Sequence, residues 1–392
     1  MAIIPQQTLF VWSEIENLGD LERLRLVIEY MPDEELMDKL ERERKNGRDD
    51  YPVRAMWNSI LAGVVFGHIS IESLRRELSR NGQLREILPD FGKDLAIDSK
   101  AISSLSKREN KNAKADGRRD KDADWGKKEY RGVREDGTAW EKIVKWFGYK
   151  LHLIVDANYE LPVAFSVTKA SEADINEAHR MIDKLDAQRP EILESCETME
   201  ADRGYDDSKL LVKLYDEYEI KPVIDIRNMW KDPDGTRMLE EYENVVYNYK
   251  GNVYCYCLET GKKREMACGG FEKDRKTLKK LCPAKQYGLE CECTDKCCVK
   301  HGIRISIETD RRIFTPIDRA SYKWERYYNK RTSVERVNSR LDESFGFEKH
   351  YIRGKTKMTV RCGIALCVML AMAVGRIKEK QQDKIRSLVK PA

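Results

Sequence analysis

Met199-Glu200-Ala201-Asp202-Arg203-Gly204-Tyr205 is the stretch on which the reading of the fold turns. A short apolar run stops at an acid, and a glycine and an aromatic follow at once. A strand fixes the Asp202 carboxylate at its end. Gly204 then allows a tight turn or a close backbone approach. The plainer alternative is an Asp cap on the helix that comes next. Leu95-Ala96-Ile97-Asp98-Ser99 has the same form and the same alternative.

Working outward, Tyr149 to Val155 alternates Leu151, Leu153 and Val155 on one face, and Leu161 to Val167 alternates Val163, Phe165 and Val167. Two strands are expected there, with Asn158 in the short turn between them. Glu172 to Leu185 reads as a helix capped by Ser171. Asp207 to Tyr218 is helical in pattern, and Lys221 to Ile226 is another apolar strand. The expected order is β, ββ, α, β, α, β. A third acid, Glu335, lies on a helix-like stretch in which Tyr328, Arg331 and Glu335 stand at i, i+3 and i+7. On one continuous helix these share a face. Alone, that face is equally an ordinary surface Arg–Glu pair worth ~0.3–0.5 kcal/mol.

Asp98, Asp202 and Glu335, each in such a context, suit hard divalent cations, which prefer oxygen ligands. Two such cations can clamp the attacking and leaving oxygens of a phosphodiester. This points to chemistry on nucleic acid strands. Charge agrees. The chain carries a net +4, but from Lys323 to Ala392 there are 17 Lys and Arg against 7 Asp and Glu, a net of +10. A basic C-terminal block suggests a polyanionic partner, with a solvated helical surface as the alternative.

The chain looks like a DDE-type insertion-sequence transposase with an RNase-H-like core, over roughly residues 50 to 378. It resembles the branch whose last acid sits in a Tyr-x2-Arg-x3-Glu-x6-Lys signature. Tyr328, Arg331 and Glu335 match that spacing, Asp202, Gly204 and Tyr205 match Asp-x-Gly-Tyr/Phe, and Asp98 matches the first acid. One departure stands out: the signature's lysine position holds Asp342, with Arg340, Lys349 and Arg353 as nearby cations.

The resemblance implies an α/β fold, an RNase-H-like mixed sheet flanked by helices. It implies catalysis by Asp98, Asp202 and Glu335 holding Mg²⁺ or Mn²⁺, with Asp98 bridging both ions. It also implies DNA as partner, both terminal inverted repeats and target, and a second copy of the chain to pair two ends. Tyr328 and Arg331 are expected at the phosphate beside the cut, and Lys349, Arg353, Lys355 and Lys357 along the flanking backbone. A transposase-derived DNA-binding protein without catalysis, and an RNase-H-like nuclease, are the alternative functions.

The expected division is a helical, DNA-binding region over 1–93, the first part of the core over 94–228, a Cys-rich insertion over 229–316, the remaining core over 317–378 and a basic tail over 379–392. Ser70 to Leu78 is expected to be one of the early helices, and the charged stretch Lys107 to Lys145 an exposed loop. Eight of the eleven cysteines fall in the insertion. Cys282, Cys293, Cys297 and His301 can supply four ligands to Zn²⁺, with buried free thiols as the competing reading. Met1 to Thr8 lacks the pattern of a secretory signal, and Cys362 to Val374 is too short an apolar run to span a membrane. Reduced thiols in a cytoplasm, with association to the nucleoid during activity, are the expectation.

Overall fold

The computed structural model describes residues 19–44, 53–65, 91–106, 120–134, 136–232, 235–293, 297–348 and 350–386. In chain order the elements are α1 (Gly19–Tyr30), α2 (Glu34–Arg44), α3 (Val53–Val65), β1 (Asp94–Ser103), β2 (Asp124–Val133), β3 (Ala139–Asp156) and β4 (Leu161–Lys169). Then come α4 (Asp174–Gln188), α5 (Pro190–Ser195), β5 (Thr198–Ala201), α6 (Ser208–Val212) and β6 (Lys221–Ile224). Seven short strands, β7 to β13, lie between Arg237 and Ser306, interrupted by α7 (Pro283–Tyr287). The chain closes with α8 (Tyr322–Tyr328), α9 (Thr332–Phe345) and α10 (Lys355–Lys378). The expected helix at Ser70 to Leu78 lies outside the described residues, as do Lys349 and the end of the basic tail.

The main sheet has six strands in the order β2-β3-β1-β5-β6, with β4 also paired to β3. β5 runs parallel to both β1 and β6, whereas β3 runs antiparallel to β2 and β4. With the outer β2 set aside, the mixed sheet flanked by helices is the RNase-H-like arrangement expected from the motif order. Packing divides the chain into two compact units. The first takes its described residues from Met1–Phe91, Ser99–Ala173 and Ser333–Ala392, and the second from Gly92–Asp98 and Asp174–Thr332. The division passes along β1.

In the first unit, α10 packs on α1, α3 and β4. It is the one helix, among the described residues, long and apolar enough to cross a membrane, and 78% of its apolar window is buried inside the protein. That burial identifies it as the core helix of this unit. Its start is tied down by Asp120, whose carboxylate accepts from the Ser104 hydroxyl at 2.6 Å, the Gly354 N–H at 2.9 Å and the Tyr149 hydroxyl.

The charged stretch corrects an expectation. Residues 107–119 lie outside the described set, but Asp124 onward is no loop. β2 and the outer half of β3 form an antiparallel ribbon with register Asp124↔Gly148 to Val133↔Ala139. Ala139 to Lys145 is exposed, and β3 becomes buried only beyond it, where Tyr149 to Asp156 pairs with β4. A ribbon held by its backbone ladder with neither face in a core needs no apolar alternation, so its sequence reads as a loop. Gly148 marks the change, because a Cβ there would collide with the Ile102 carbonyl oxygen.

In the second unit every residue of β5 is buried, as a central parallel strand requires. α4 buries an apolar stripe of Ala178, Met181, Ile182 and Leu185 at helical spacing and packs against α5 and the 3₁₀ turn Arg203–Tyr205. The insertion builds one sheet in the order β10 (Lys263–Glu265), β9 (Val253–Tyr256), β8 (Val245–Tyr247) and β7 (Arg237–Met238), and another in the order β11 (Ala267–Glu272), β12 (Thr277–Leu281) and β13 (Ile303–Ser306). Its apolar core takes in Tyr215 and Ile226, which precede it in the chain. The insertion therefore shares a core with its own unit, and the β5–β6 pairing stays intact.

Candidate active site

β1 and β5 set the position of the first two acids. Their parallel register runs from Asp94↔Thr198 to Ile97↔Ala201. The next residue along each chain is Asp98 and Asp202, both half-buried at the carboxyl end of β5. The Asp202 side chain also caps the short 3₁₀ turn Arg203–Tyr205, accepting the Gly204 N–H at 2.7 Å. A Cβ on Gly204 would stand 2.7 Å from that same oxygen, so any side chain there would push the Asp202 carboxylate aside. The cap and the strand-end acid are thus one residue, not alternatives.

Ion pairs brace this turn from outside. Arg203 donates to Asp225 at 2.9 and 2.5 Å, and the Asp225 carboxylate raises the pKa of that guanidinium. Arg227 donates to the carbonyls of Arg203 and Gly204 at 2.9 and 2.7 Å. Asp206 takes a bidentate grip from Arg312 at 2.7–3.0 Å. It is therefore a buried anchor, not the helix-start residue its position suggests. Asp207 is that helix start, accepting the Leu210 N–H at 2.9 Å.

The Tyr/Arg segment meets the same sheet end. The expected single helix is interrupted: α8 stops at Tyr328, Asn329–Arg331 is a 3₁₀ turn, and α9 starts at Thr332. The turn is pinned through Lys330, whose ammonium lies 2.6 Å from Asp94 at the start of β1. Tyr328 stacks on Trp324 with ring centroids 4.5 Å apart, and the Arg331 guanidinium sits 5.1 Å from the Tyr328 ring. The Tyr328 hydroxyl is pushed above its ordinary pKa chiefly by burial, with the Asp225 and Asp202 carboxylates adding to the shift. Tyr328, Arg331 and Asp202 therefore share one neighbourhood.

A family model described as Transposase DDE domain matches residues 90–371, well over half the chain. The chain belongs to that family. No curated protein sequence matches this transposase. Among solved structures, the cryo-EM structure of a piggyBac transposase synaptic complex with hairpin DNA aligns with a TM-score of 0.34 and 10% identity, covering 97% of this chain and 70% of that one.

Glu335 of the transposase belongs to the first unit, exposed in the opening turn of α9. An acid is favoured there by the helix dipole. Val334, Val337, Leu341 and Phe345 form the buried stripe of the same helix. Arg340 is engaged by the buried Glu160, which also receives Arg336 at 2.7 Å. Asp342, in the place of the signature lysine, pairs with Lys100. Lys100 stands two positions beyond Asp98 on a strand and so on the same face, and its pairing with Asp342 was not legible in the sequence. Arg353, Lys355 and Lys357 are exposed at the start of α10.

Beneath the acids lies a buried polar cluster that the motifs did not announce. Thr198 Oγ1 is 2.6 Å from Asp94 and 2.5 Å from Glu200. A hydroxyl carries one proton, so one of the two carboxyls must bring another. Burial raises Glu200 to about 8, which assigns the proton to it.

In the insertion the thiols regroup. The sulfurs of Cys257, Cys291 and Cys293 lie within 4.8 Å of one another. Of the expected zinc ligands Cys293 is in this trio, Cys282 and Cys297 line the adjoining cavity, and His301 is exposed and outside its lining. Hydrogen bonds from Thr260 hold the Cys257 thiol down to about 6, while burial pushes Cys293 up to about 12.

Proposed function

We propose that this transposase cuts DNA at the ends of an insertion sequence and joins the freed ends to target DNA, using Mg²⁺ or Mn²⁺. The observation that carries the reading is the placement of Asp98 and Asp202 one register step past Ile97↔Ala201, on neighbouring parallel strands inside the matched DDE domain. Paired half-buried carboxylates are a donor set that fits hard divalent cations. Asp98, Asp202 and Glu335 are the residues that hold them. When bound, such cations activate water and stabilise a leaving 3′ oxygen.

The chain's own groups do the rest. Arg331 donates paired hydrogen bonds to a phosphate, and Tyr328, stacked on Trp324, adds its hydroxyl beside it. The Lys330–Asp94 pair anchors the turn that carries Arg331 to the start of β1. Arg353, Lys355, Lys357 and Lys349 follow the flanking backbone. Pairing two DNA ends calls for two copies of the chain. Eleven cysteines without a disulfide fit work in a reducing cytoplasm, close to the nucleoid.

The test uses DNA carrying the element's inverted repeats, with Mg²⁺. Asp98→Ala, Asp202→Ala and Glu335→Ala should each abolish both nicking and strand transfer while end-DNA binding persists. A variant of any of the three that still nicks would remove that acid from the site. Wild-type protein that nicks but never joins ends would favour the nuclease alternative.

A further inference from the structure

We propose that the insertion is held together by a structural zinc ion on Cys257, Cys291 and Cys293, completed by a fourth thiolate from the facing wall of the same cavity. The inference is independent of the cut-and-join reading, because a zinc enclosed by four thiolates has no open position for substrate.

Geometry is the first support. Cys291 and Cys293 have their sulfurs 3.6 Å apart, and Cys257 closes the triangle within 4.8 Å. In a tetrahedral site with Zn–S bonds of about 2.3 Å, neighbouring sulfurs stand about 3.8 Å apart. They come from two separate places in the chain. Cys257 follows β9 (Val253–Tyr256), and Cys291 and Cys293 lie in the long connection between α7 and β13 (Ile303–Ser306). An ion here would fasten that irregular connection to the end of a strand.

The cavity itself is the second support. Beyond the trio it is lined by Cys255, Cys282 and Cys297, any of which can bring the fourth sulfur. Lys262 and Arg264 line it too, and Arg264 Nη1 is buried there without a hydrogen-bond partner among the described residues. A buried guanidinium N–H without an acceptor is costly. Four thiolates around Zn²⁺ carry a net charge of 2−, and such an N–H is the outer-shell donor that thiolates need. Soft sulfur donors select zinc over the hard cations suited to the carboxylates. Cys268, Cys298 and His301 do not line the cavity.

The full-length protein is purified, dialysed against metal-free buffer and assayed for metal by mass spectrometry. About one zinc per chain is expected. Cys257→Ser, Cys291→Ser and Cys293→Ser should each lower it at least fivefold, as should one or more of Cys255→Ser, Cys282→Ser and Cys297→Ser. Cys268→Ser and His301→Ala should leave it unchanged. No zinc in the wild type, full zinc in the Cys257→Ser/Cys291→Ser double variant, or no effect from any of the three facing-wall cysteines would overturn the proposal. Should the serine variants fail to fold, the wild type decides. With Zn²⁺ present, iodoacetamide should modify Cys268 while sparing the trio, and a chelator should expose the trio to it. Equal alkylation of the trio with and without chelator would also overturn the proposal.

Discussion

At the start of β1 and along β5, the strands that lead to Asp98 and Asp202, polar side chains are buried and bonded to one another. In the insertion of the same unit, apolar rings and thiols fill the interior instead. The first region spends Asp94, Thr198, Glu200 and Lys330 on holding a turn in place. The second packs Tyr247 against Phe314 and Tyr215 against Phe271. The difference follows from what each must do. A turn that presents Arg331 and Tyr328 has to be fixed in direction, and hydrogen bonds are directional where apolar contacts are not. The insertion has only to stay folded.

The contrast is not absolute, and an exception to it yields the largest expected effect. Lys280 on β12 (Thr277–Leu281) and Asp318 form an ion pair with both side chains buried. Removing one partner of such a pair costs about 3–5 kcal/mol, because the other charge is left without compensation. Lys280→Ala should lower the urea midpoint accordingly, and Lys280→Met with Asp318→Asn should recover much of the loss. A Lys280→Ala protein as stable as the wild type would mean that the pair is solvated and the exception unreal.

Glu200 gives the next effect, seen as a pH dependence. Its folded pKa of about 8 lies above its ordinary 4.5. Below about pH 4.5 both folded and unfolded chains hold the proton. Between that point and about pH 8 only the folded chain does, so stability falls as pH rises, by at most about 1.4 kcal/mol per pH unit. Above pH 8 the loss is complete. Glu200→Gln should remove this slope and leave the protein more stable than wild type at pH 8. Identical pH profiles for the two proteins would show that Glu200 is ionised and the cluster differently protonated.

Periodicity made the sheet legible and left its outer parts obscure. β3, β4, α4 and β6 followed from alternation and helical spacing because each buries one face or both. The ribbon of β2 and outer β3 buries neither, so its residues gave no signal. The three acids were visible because each ends or interrupts an apolar pattern. Lys100 and Lys330 were not, since a lysine's partner lies far away in sequence: Asp342 for one and Asp94 for the other. The cysteine cluster was visible as a count. Its membership was not, because sheet pairing and an irregular connection, not spacing, bring Cys257 to Cys291 and Cys293.

Lys330 tests whether directionality matters as argued. Lys330→Ala breaks the bond to Asp94 and should cost on the order of 1–3 kcal/mol in stability, as for buried hydrogen bonds to charged groups. Its larger consequence should be catalytic. A displaced 3₁₀ turn moves Arg331 and Tyr328, and an error of about 1 Å in such groups can cost up to ~100-fold in rate. Cleavage is expected to fall about tenfold while end-DNA binding stays within twofold, and Lys330→Arg should restore most of it. Equal losses in binding and cleavage would point to a direct phosphate contact by Lys330 instead.

The smallest effects belong to the exposed cations, where neither mode of construction applies. Arg353, Lys355 and Lys357 lie at the solvent-facing start of α10. Each phosphate they neutralise releases counterions and steepens the fall of log affinity with log salt by about 0.9. Replacing all three by Gln should flatten that slope by up to about 2.7, and do so alike for element-end DNA and unrelated DNA. Arg331→Ala should behave in the opposite way, with a nearly unchanged slope and a large loss of nicking. The measurement is a salt titration of binding run beside a Mg²⁺-dependent nicking assay on the same preparations. An unchanged slope in the triple variant would place the DNA path elsewhere on the first unit. Unimpaired nicking by Arg331→Ala would show that the braced sheet end does not touch the reacting phosphate, and the directional construction at Asp94 and Lys330 would then serve stability alone.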